Sequence, residues 1–190
     1  MQSDIELMLR TKDGDDGAFS ELMKRHYKGV VNYIYRFTNM RDNSEDLAQE
    51  VFFRVYRSAK NYRPEAKFST WLYKIATNVS LTHLKGRPKN LSLDEIEETK
   101  GDIEDRRVQI SDDIIYRKEM KEHIFKALES LPEREKVAIM LCKYEGFSYE
   151  EVSEVLECTV GAVKAYVYRG RMKLIDILES HLAQGGGYGM

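Results

Sequence analysis

Residues 148–174 read Ser-Tyr-Glu-Glu-Val-Ser-Glu-Val-Leu-Glu-Cys-Thr-Val-Gly-Ala-Val-Lys-Ala-Tyr-Val-Tyr-Arg-Gly-Arg-Met-Lys-Leu. Ser148, three residues before Glu151 and just after Gly146, is a capping-box start. Val152, Val155 and Leu156 supply the apolar face of a short helix. Glu157-Cys158-Thr159 then forms a turn, and Thr159 caps a second, longer helix. Val163, Val167 and Leu174 keep one side of that helix in a core, while Lys164, Tyr168 and Arg171 share another face at spacings of four and three. The pattern predicts a helix-turn-helix. An apolar back with a basic, aromatic-bearing front suits major-groove docking, with the first turn reaching base edges and cations holding phosphates. An ordinary helical hairpin with a solvated basic face would have the same spacing.

Upstream, Ser130-Leu131-Pro132-Glu133 fits a second capping box. Residues 86–113 are polar, acidic and poor in aromatics, too poor to offset the entropy of ordering them, and read as a linker. In the first third, Leu7, Phe19, Leu22 and Met23 lead into Val30, Val31, Ile34 and Tyr35, with a turn at Asp13–Gly17. A polar turn over Asn39–Ser44 precedes a helix with a stripe at Leu47, Val51 and Val55. After a connection closed by Pro64, Ser69 or Thr70 starts a helix carrying Trp71, Leu72, Ile75, Val79 and Leu84, and Gly86 and Pro88 stop it. No alternation is long enough to build a sheet. The expected fold class is all-α: two small helical domains, 1–88 and 119–183, joined by a linker over 89–118, with a glycine-rich tail over 184–190.

The chain has 190 residues and a formal net charge of −2, with 33% charged and 42% apolar residues. Its bulk charge speaks against nucleic acid, but its distribution speaks for it. Residues 54–89 sum to +8 and residues 159–174 to +4, whereas 1–53, 90–113 and 129–158 sum to −3, −6 and −5. Cys142 and Cys158 fit no CxxC pattern, which fits a reducing compartment. No apolar run approaches the ~20 residues of a membrane span, and the acidic N-terminus is unlike a signal peptide. The four histidines are far apart with no metal-ligand spacing, and no glycine-rich phosphate loop precedes a helix. Neither a cofactor nor an enzymatic reaction is expected.

Two stretches of the first domain carry function-bearing patterns. Asp46, Glu50, Phe53 and Arg57 lie along one helix side with Gln49 adjacent, a polar strip with an exposed aromatic that suits docking onto another helix. Residues 62–74 interleave Tyr62, Phe68, Trp71 and Tyr73 with Arg63, Lys67 and Lys74. Aromatic stacking combined with cationic tracking of the backbone grips single-stranded nucleic acid, and a loop between helices can pocket a flipped base. Trp71 and Leu72 also suit a core; the cations gain nothing from burial.

Taken together, Asp46-Leu47-Ala48-Gln49-Glu50-Val51-Phe52, Phe68-Ser69-Thr70-Trp71-Leu72-Tyr73-Lys74-Ile75-Ala76-Thr77-Asn78, and Val160-Gly161-Ala162-Val163-Lys164 through Arg169-Gly170-Arg171 resemble bacterial RNA polymerase sigma factors of the extracytoplasmic-function (ECF, group IV) family. The resemblance covers about residues 15–88 and 125–180, in order. It implies that the first domain docks on the clamp coiled coil of core RNA polymerase through Asp46, Gln49, Glu50 and Phe53. It implies that the minus-ten promoter element is recognised and opened by Arg63, Lys67, Phe68, Ser69, Thr70, Trp71, Lys74 and Asn78. The helix-turn-helix would read the minus-thirty-five element through Thr159, Val160, Lys164, Tyr168, Arg169 and Arg171, and the acidic linker would thread the polymerase product channel. Other implied partners are promoter DNA and an anti-sigma factor, often a membrane protein; the place of action is the cytoplasm, with no small-molecule substrate. The sequence departs from the family at Ala165-Tyr166, where Ser-Arg is usual, and at Glu157, where the turn commonly holds glycine and a side chain is strained.

A conventional regulator, binding an operator as a dimer, shares the C-terminal features but leaves residues 46–57 and 62–78 unexplained. Acidic stretches around two basic faces further predict that the free protein binds DNA weakly until polymerase holds both domains.

Overall fold

The computed structural model describes residues 2–86 and 112–185, and of 112–119, 121 and 181–185 only the backbone. Among the described residues all regular structure is helical, as expected. Most of the expected linker and residues 186–190 lie outside the described residues.

Helix α1 (Asp4–Lys12) opens on a complete capping box: the Ser3 hydroxyl accepts from the Glu6 N–H, and the Glu6 carboxylate accepts from the Ser3 N–H. Gly14, at φ +96°, turns the chain, and the Asp15 carboxylate caps α2 (Asp16–Thr38) by accepting from the Ala18 N–H. Asn39 ends α2 in the left-handed region, so the chain reverses at once and α3 (Arg41–Ser58) begins two residues later. The polar turn expected over Asn39–Ser44 is therefore only Asn39–Met40. A single 3-10 turn (Ala59–Asn61) leads to the connection ahead of α4 (Phe68–Lys85). This helix starts one residue before Ser69, and neither Ser69 nor Thr70 caps it. Burial of the Phe68 ring against Tyr62, Trp71 and His26 holds the first turn instead.

Leu7, Met8, Leu22, Val30, Ile34, Val51, Phe52, Val55 and Leu72 form the core of these four helices, each 2% exposed or less. The Leu47–Val51–Val55 stripe predicted from spacing lies on it, with Leu47 at the margin.

Helix α5 (Asp112–Glu129) begins inside the stretch expected as linker. At its end the Ser130 hydroxyl donates to the Ala127 carbonyl at 2.7 Å, so Ser130 closes α5 rather than capping α6 (Glu133–Ile139). The capping box expected with Glu133 does not form, because Pro132 takes the N-cap position. A π-helical turn (Met140–Tyr144) and Gly146 at φ +73° lead to α7 (Tyr149–Leu156), whose capping box between Ser148 and Glu151 is complete. Helix α8 (Val160–Gly185) follows, reaching into the expected tail. Leu128, Val137, Ile139, Leu141, Val152, Val163 and Val167 fill the core of this second set.

The two sets touch. Helix α4 packs on α7, and Tyr73 meets Phe147 edge to face at 5.1 Å between ring centres. Tyr73 is 8% exposed, and its hydroxyl donates to Glu145 at 2.8 Å. Burial, and then the Glu145 charge, push the Tyr73 phenol well above its ordinary range.

Candidate nucleic-acid interface

The turn between α7 and α8 places Glu157 at φ 50°, ψ 54°, the left-handed geometry the sequence predicts there. The Thr159 hydroxyl accepts from the Ala162 N–H at 3.2 Å and caps α8. With Val163 and Val167 inside, Lys164, Tyr168 and Arg171 stand on the exposed front, Tyr168 being 67% exposed. Neither Lys164 nor Arg171 enters an ion pair among the described residues. Val160, in the first turn, is half-buried.

Arg169 points elsewhere. Its Nε donates to Glu135 Oε1 at 2.9 Å, and Lys173 Nζ donates to the other carboxylate oxygen at 2.9 Å. The guanidinium also lies over the Tyr166 ring, 5.3 Å from its centre. Glu135 is 5% exposed. Burial pushes its carboxyl up, but the hydrogen bonds and charges of Lys173 and Arg169 outweigh that and hold it below the ordinary glutamate value. Arg169 thus ties α8 to α6. Gly170 lets the helices close up: a Cβ there would sit 3.0 Å from Ile139 Cγ1.

In the first set, Asp46, Gln49 and Phe53 are exposed on α3, Phe53 by 55%. Glu50 accepts from Arg54 at 2.7 Å, and Arg57 covers the Phe53 ring at 5.6 Å. Among the minus-ten candidates, Arg63 is free in solvent except for Glu65 at 3.9 Å. Asn78 is exposed, and Ser69, Trp71 and Lys74 are half-buried. Phe68 and Thr70 face the core, at 2% and 3% exposure. The Tyr62 and Thr70 hydroxyls are buried with no partner among the described residues. A groove between α3 and α4 is lined by Arg54, Arg57, Ser58, Ile75 and Asn78. Arg54 and Arg57, at i, i+3 spacing within the +8 block, bring two further cations beside Asn78.

Several of these cations already have acidic partners on the second set of helices. Lys67 Nζ lies 2.9 Å from Glu151, Lys74 Nζ 2.6 Å from Glu157, and Lys85 Nζ 3.2 Å from Glu133. Arg36 adds a bond to Glu145 at 3.1 Å, and Lys136 sits over the Phe37 ring at 4.8 Å. The Lys67 ammonium is raised by its bond to Glu151, and the Glu157 carboxyl is lowered by its bond from Lys74. A cleft between the sets is lined by Lys74, Asn78 and Leu81 on one side and Glu133, Val155 and Glu157 on the other. Among the described residues no His, Cys, Asp or Glu cluster could hold a metal ion, and no helix is long and apolar enough to cross a membrane.

The family described as Sigma-70 region 2 matches residues 22–89, and Sigma-70 region 4 matches residues 122–174. The ECF RNA polymerase sigma-E factor of Escherichia coli strain K12 is 32% identical over 176 residues, covering 89% of this chain and 91% of that protein. Two solved structures share the fold. CnrH in complex with the cytosolic domain of CnrY has a TM-score of 0.72 at 20% identity, over 94% of this chain and 99% of that one. The sigma factor RpoE in complex with the anti-sigma factor NepR, from Bartonella quintana, has a TM-score of 0.61 at 22% identity, over 85% and 96%.

Proposed function

This chain belongs to the extracytoplasmic-function sigma factors, and from that membership we propose which of its surfaces carries each step. It binds core RNA polymerase and directs promoter-specific initiation of transcription, and its partners are polymerase, promoter DNA and an anti-sigma factor. The domains are assigned as residues 1–88 for polymerase and the minus-ten element and 119–183 for the minus-thirty-five element. Their connection, acidic over 90–113, would run through the polymerase.

The observation that carries the upstream assignment is the front of α8. Lys164, Tyr168 and Arg171 project from one rigid helix beside its capped N-terminus, free of ion pairs among the described residues. A groove-docked helix uses its first turn for base edges and its cations for phosphates. Thr159, Val160 and Lys164 take the first role, and Arg171 with Tyr168 the second. Arg169 is assigned to orienting the helix through Glu135.

At the minus-ten element, Arg63, Lys67, Lys74 and Asn78 contact the strand, with Ser69 and Trp71 at its edge. Phe68 and Thr70, being buried, act from beneath by holding the loop. Stacking and backbone cations favour an unpaired strand, so opening follows from binding it. The exposed strip Asp46, Gln49, Glu50 and Phe53 meets the polymerase. The protein would act in the cytoplasm, its inhibitor held at the membrane, and the nucleotidyl transfer belongs to the polymerase.

Run-off transcription with purified core polymerase on fragmented genomic DNA tests this. The expected result is a discrete set of start sites that depends on the protein. Binding of discrete DNA sites by the protein alone, with no initiation, would favour an operator-binding regulator instead.

A further inference from the structure

The match to Sigma-70 region 2 begins at residue 22, so helix α1 lies ahead of it, and no step assigned above uses that helix. With nine residues, α1 is shorter than the about 12–15 at which an isolated helix becomes even marginal in water, so packing has to hold it. Leu7, Met8 and Thr11 are buried, at 2%, 0% and 4% exposure. Besides α2, the helix packs on the 3-10 turn at Ala59–Asn61 and on α4. Those two elements bracket residues 62–67, the connection that carries the exposed Arg63 and Lys67.

Both ends of that connection are tied to α1. At its start, Lys12 Nζ donates to the Tyr62 carbonyl at 3.1 Å, across 50 positions. That carbonyl follows the 3-10 turn, and the last carbonyls of a helical turn have no partner within it. At the far end, one Asp4 carboxylate oxygen accepts from Arg25 at 2.9 Å and the other from His26 Nε2 at 2.7 Å. The His26 ring, fixed in this way, lies 5.3 Å from the ring of Phe68, the first residue of α4. Tyr62 and Phe68 both pack on Trp71. Asp4 is also close enough to Tyr62 for its charge to add to burial in raising the phenol.

No local device replaces these ties. Lys67 occupies the N-cap of α4 without a side-chain hydrogen bond. The Arg63–Glu65 pair, at 3.9 Å with both side chains 79% exposed, is too loose to shape the chain. Pro64 fixes one φ angle and no more. A connection already held at both ends loses less freedom when a strand meets Arg63 and Lys67.

We propose that α1 is the positioning element of the minus-ten loop, with Lys12 holding the start of the loop and Asp4, through His26 and Phe68, holding its end. This role rests on the minus-ten assignment above and names the residues that keep that site in shape. Lys12 and Asp4 are positioning residues: each acts through the carbonyl or ring it fixes and touches neither strand nor polymerase. A purely stabilising α1 would make every change in it act alike. A positioning α1 makes strand opening respond to the Lys12 donor in particular.

The test uses the full-length protein with purified core polymerase and a promoter fragment taken from the run-off experiment. Gel filtration reads holoenzyme yield, circular dichroism reads Tm, and permanganate reactivity of thymines upstream of the start site reads strand opening. K12M removes the donor and keeps an apolar stem. It is expected to slow opening roughly tenfold, a loss in keeping with a displaced binding group. Lys12 is exposed, so holoenzyme yield and Tm should stay at their wild-type values. K12R keeps a cationic donor and is expected to open like wild type. R10M removes a cation from the same helix whose bonds go to Asp15 and Gln2 instead of the loop, and it too is expected to open like wild type. D4N weakens the tie to His26 and is expected to slow opening. Normal opening by K12M or D4N, or a loss in K12R or R10M equal to that in K12M, overturns the proposal. If wild-type protein initiates nowhere, the sigma-factor assignment fails and the positioning role with it. If it initiates and K12M opens the promoter normally, only the positioning role fails.

Discussion

Replacing Glu135 by alanine should destabilise the C-terminal half without touching the exposed front of α8. The Glu135 side chain is 7% exposed and accepts one charged hydrogen bond each from Arg169 and Lys173, at 2.9 Å. A charge-assisted bond contributes about 1.5–3 kcal/mol when sheltered. The cations are 50% and 46% exposed, so water screens them, and about 1 kcal/mol for each bond is the reasonable figure. Alanine then costs about 2 kcal/mol, or roughly 4–8 °C in Tm for a chain of this size. Thermal unfolding followed by circular dichroism measures it. The pH dependence gives a second check with a definite sign. The folded carboxyl lies below the ordinary glutamate value, so the Glu135 contribution is fully present above that ordinary value and is lost as pH falls through the lower folded one. The gap between wild type and E135A should therefore shrink in acid. Arg169→Ala should cost less than Glu135→Ala, and the double variant less than the two together, since they share one interaction. Equal melting temperatures at neutral pH, or a gap that persists undiminished well below pH 4, would refute this account of Glu135. Loss of minus-thirty-five duplex binding by R169A at unchanged stability would return Arg169 to the DNA face.

Lys164→Ala should weaken binding to a minus-thirty-five duplex by about 1–3 kcal/mol if Lys164 reaches a base edge, measured by holoenzyme footprinting on promoters that depend on that element, with polymerase affinity unchanged. Glu50→Lys reverses charge on the exposed strip of α3 and should lower the yield of holoenzyme on gel filtration while leaving the circular dichroism spectrum intact; a normal yield removes Glu50 from the docking surface. Gly170→Val should cost roughly 1–3 kcal/mol in urea unfolding, because even a Cβ lies 3.0 Å from buried Ile139 Cγ1 and overpacking forces the helices apart.

Legibility followed distance along the chain. The helix-turn-helix, its capping box at Ser148 and Glu151, the left-handed turn at Glu157 and the exposed front of α8 were all readable. Each depends on residues within a turn or two of one another, where spacing alone decides which atoms meet. Ser130 departs from its sequence pattern because two helix ends compete for it, and Pro132 decides the outcome by occupying the next N-cap. Phe68 and Thr70 sit in a loop-to-helix segment whose pattern matches a stacking surface as well as a core edge. Which way they turn depends on Tyr62, Trp71 and His26 closing over Phe68.

The sequence by itself determined the helices, their apolar faces, the order of the two halves and the places where positive charge accumulates. Tertiary structure alone decided what each charge faces. Arg169 and Lys164 look alike in sequence, yet one meets Glu135, 34 positions away, and the other meets solvent. Lys74 pairs with Glu157 across 83 positions. A lysine has the same local signature beside water, a phosphate or a carboxylate, because the energy that separates these cases comes from groups that only folding brings within a few ångströms.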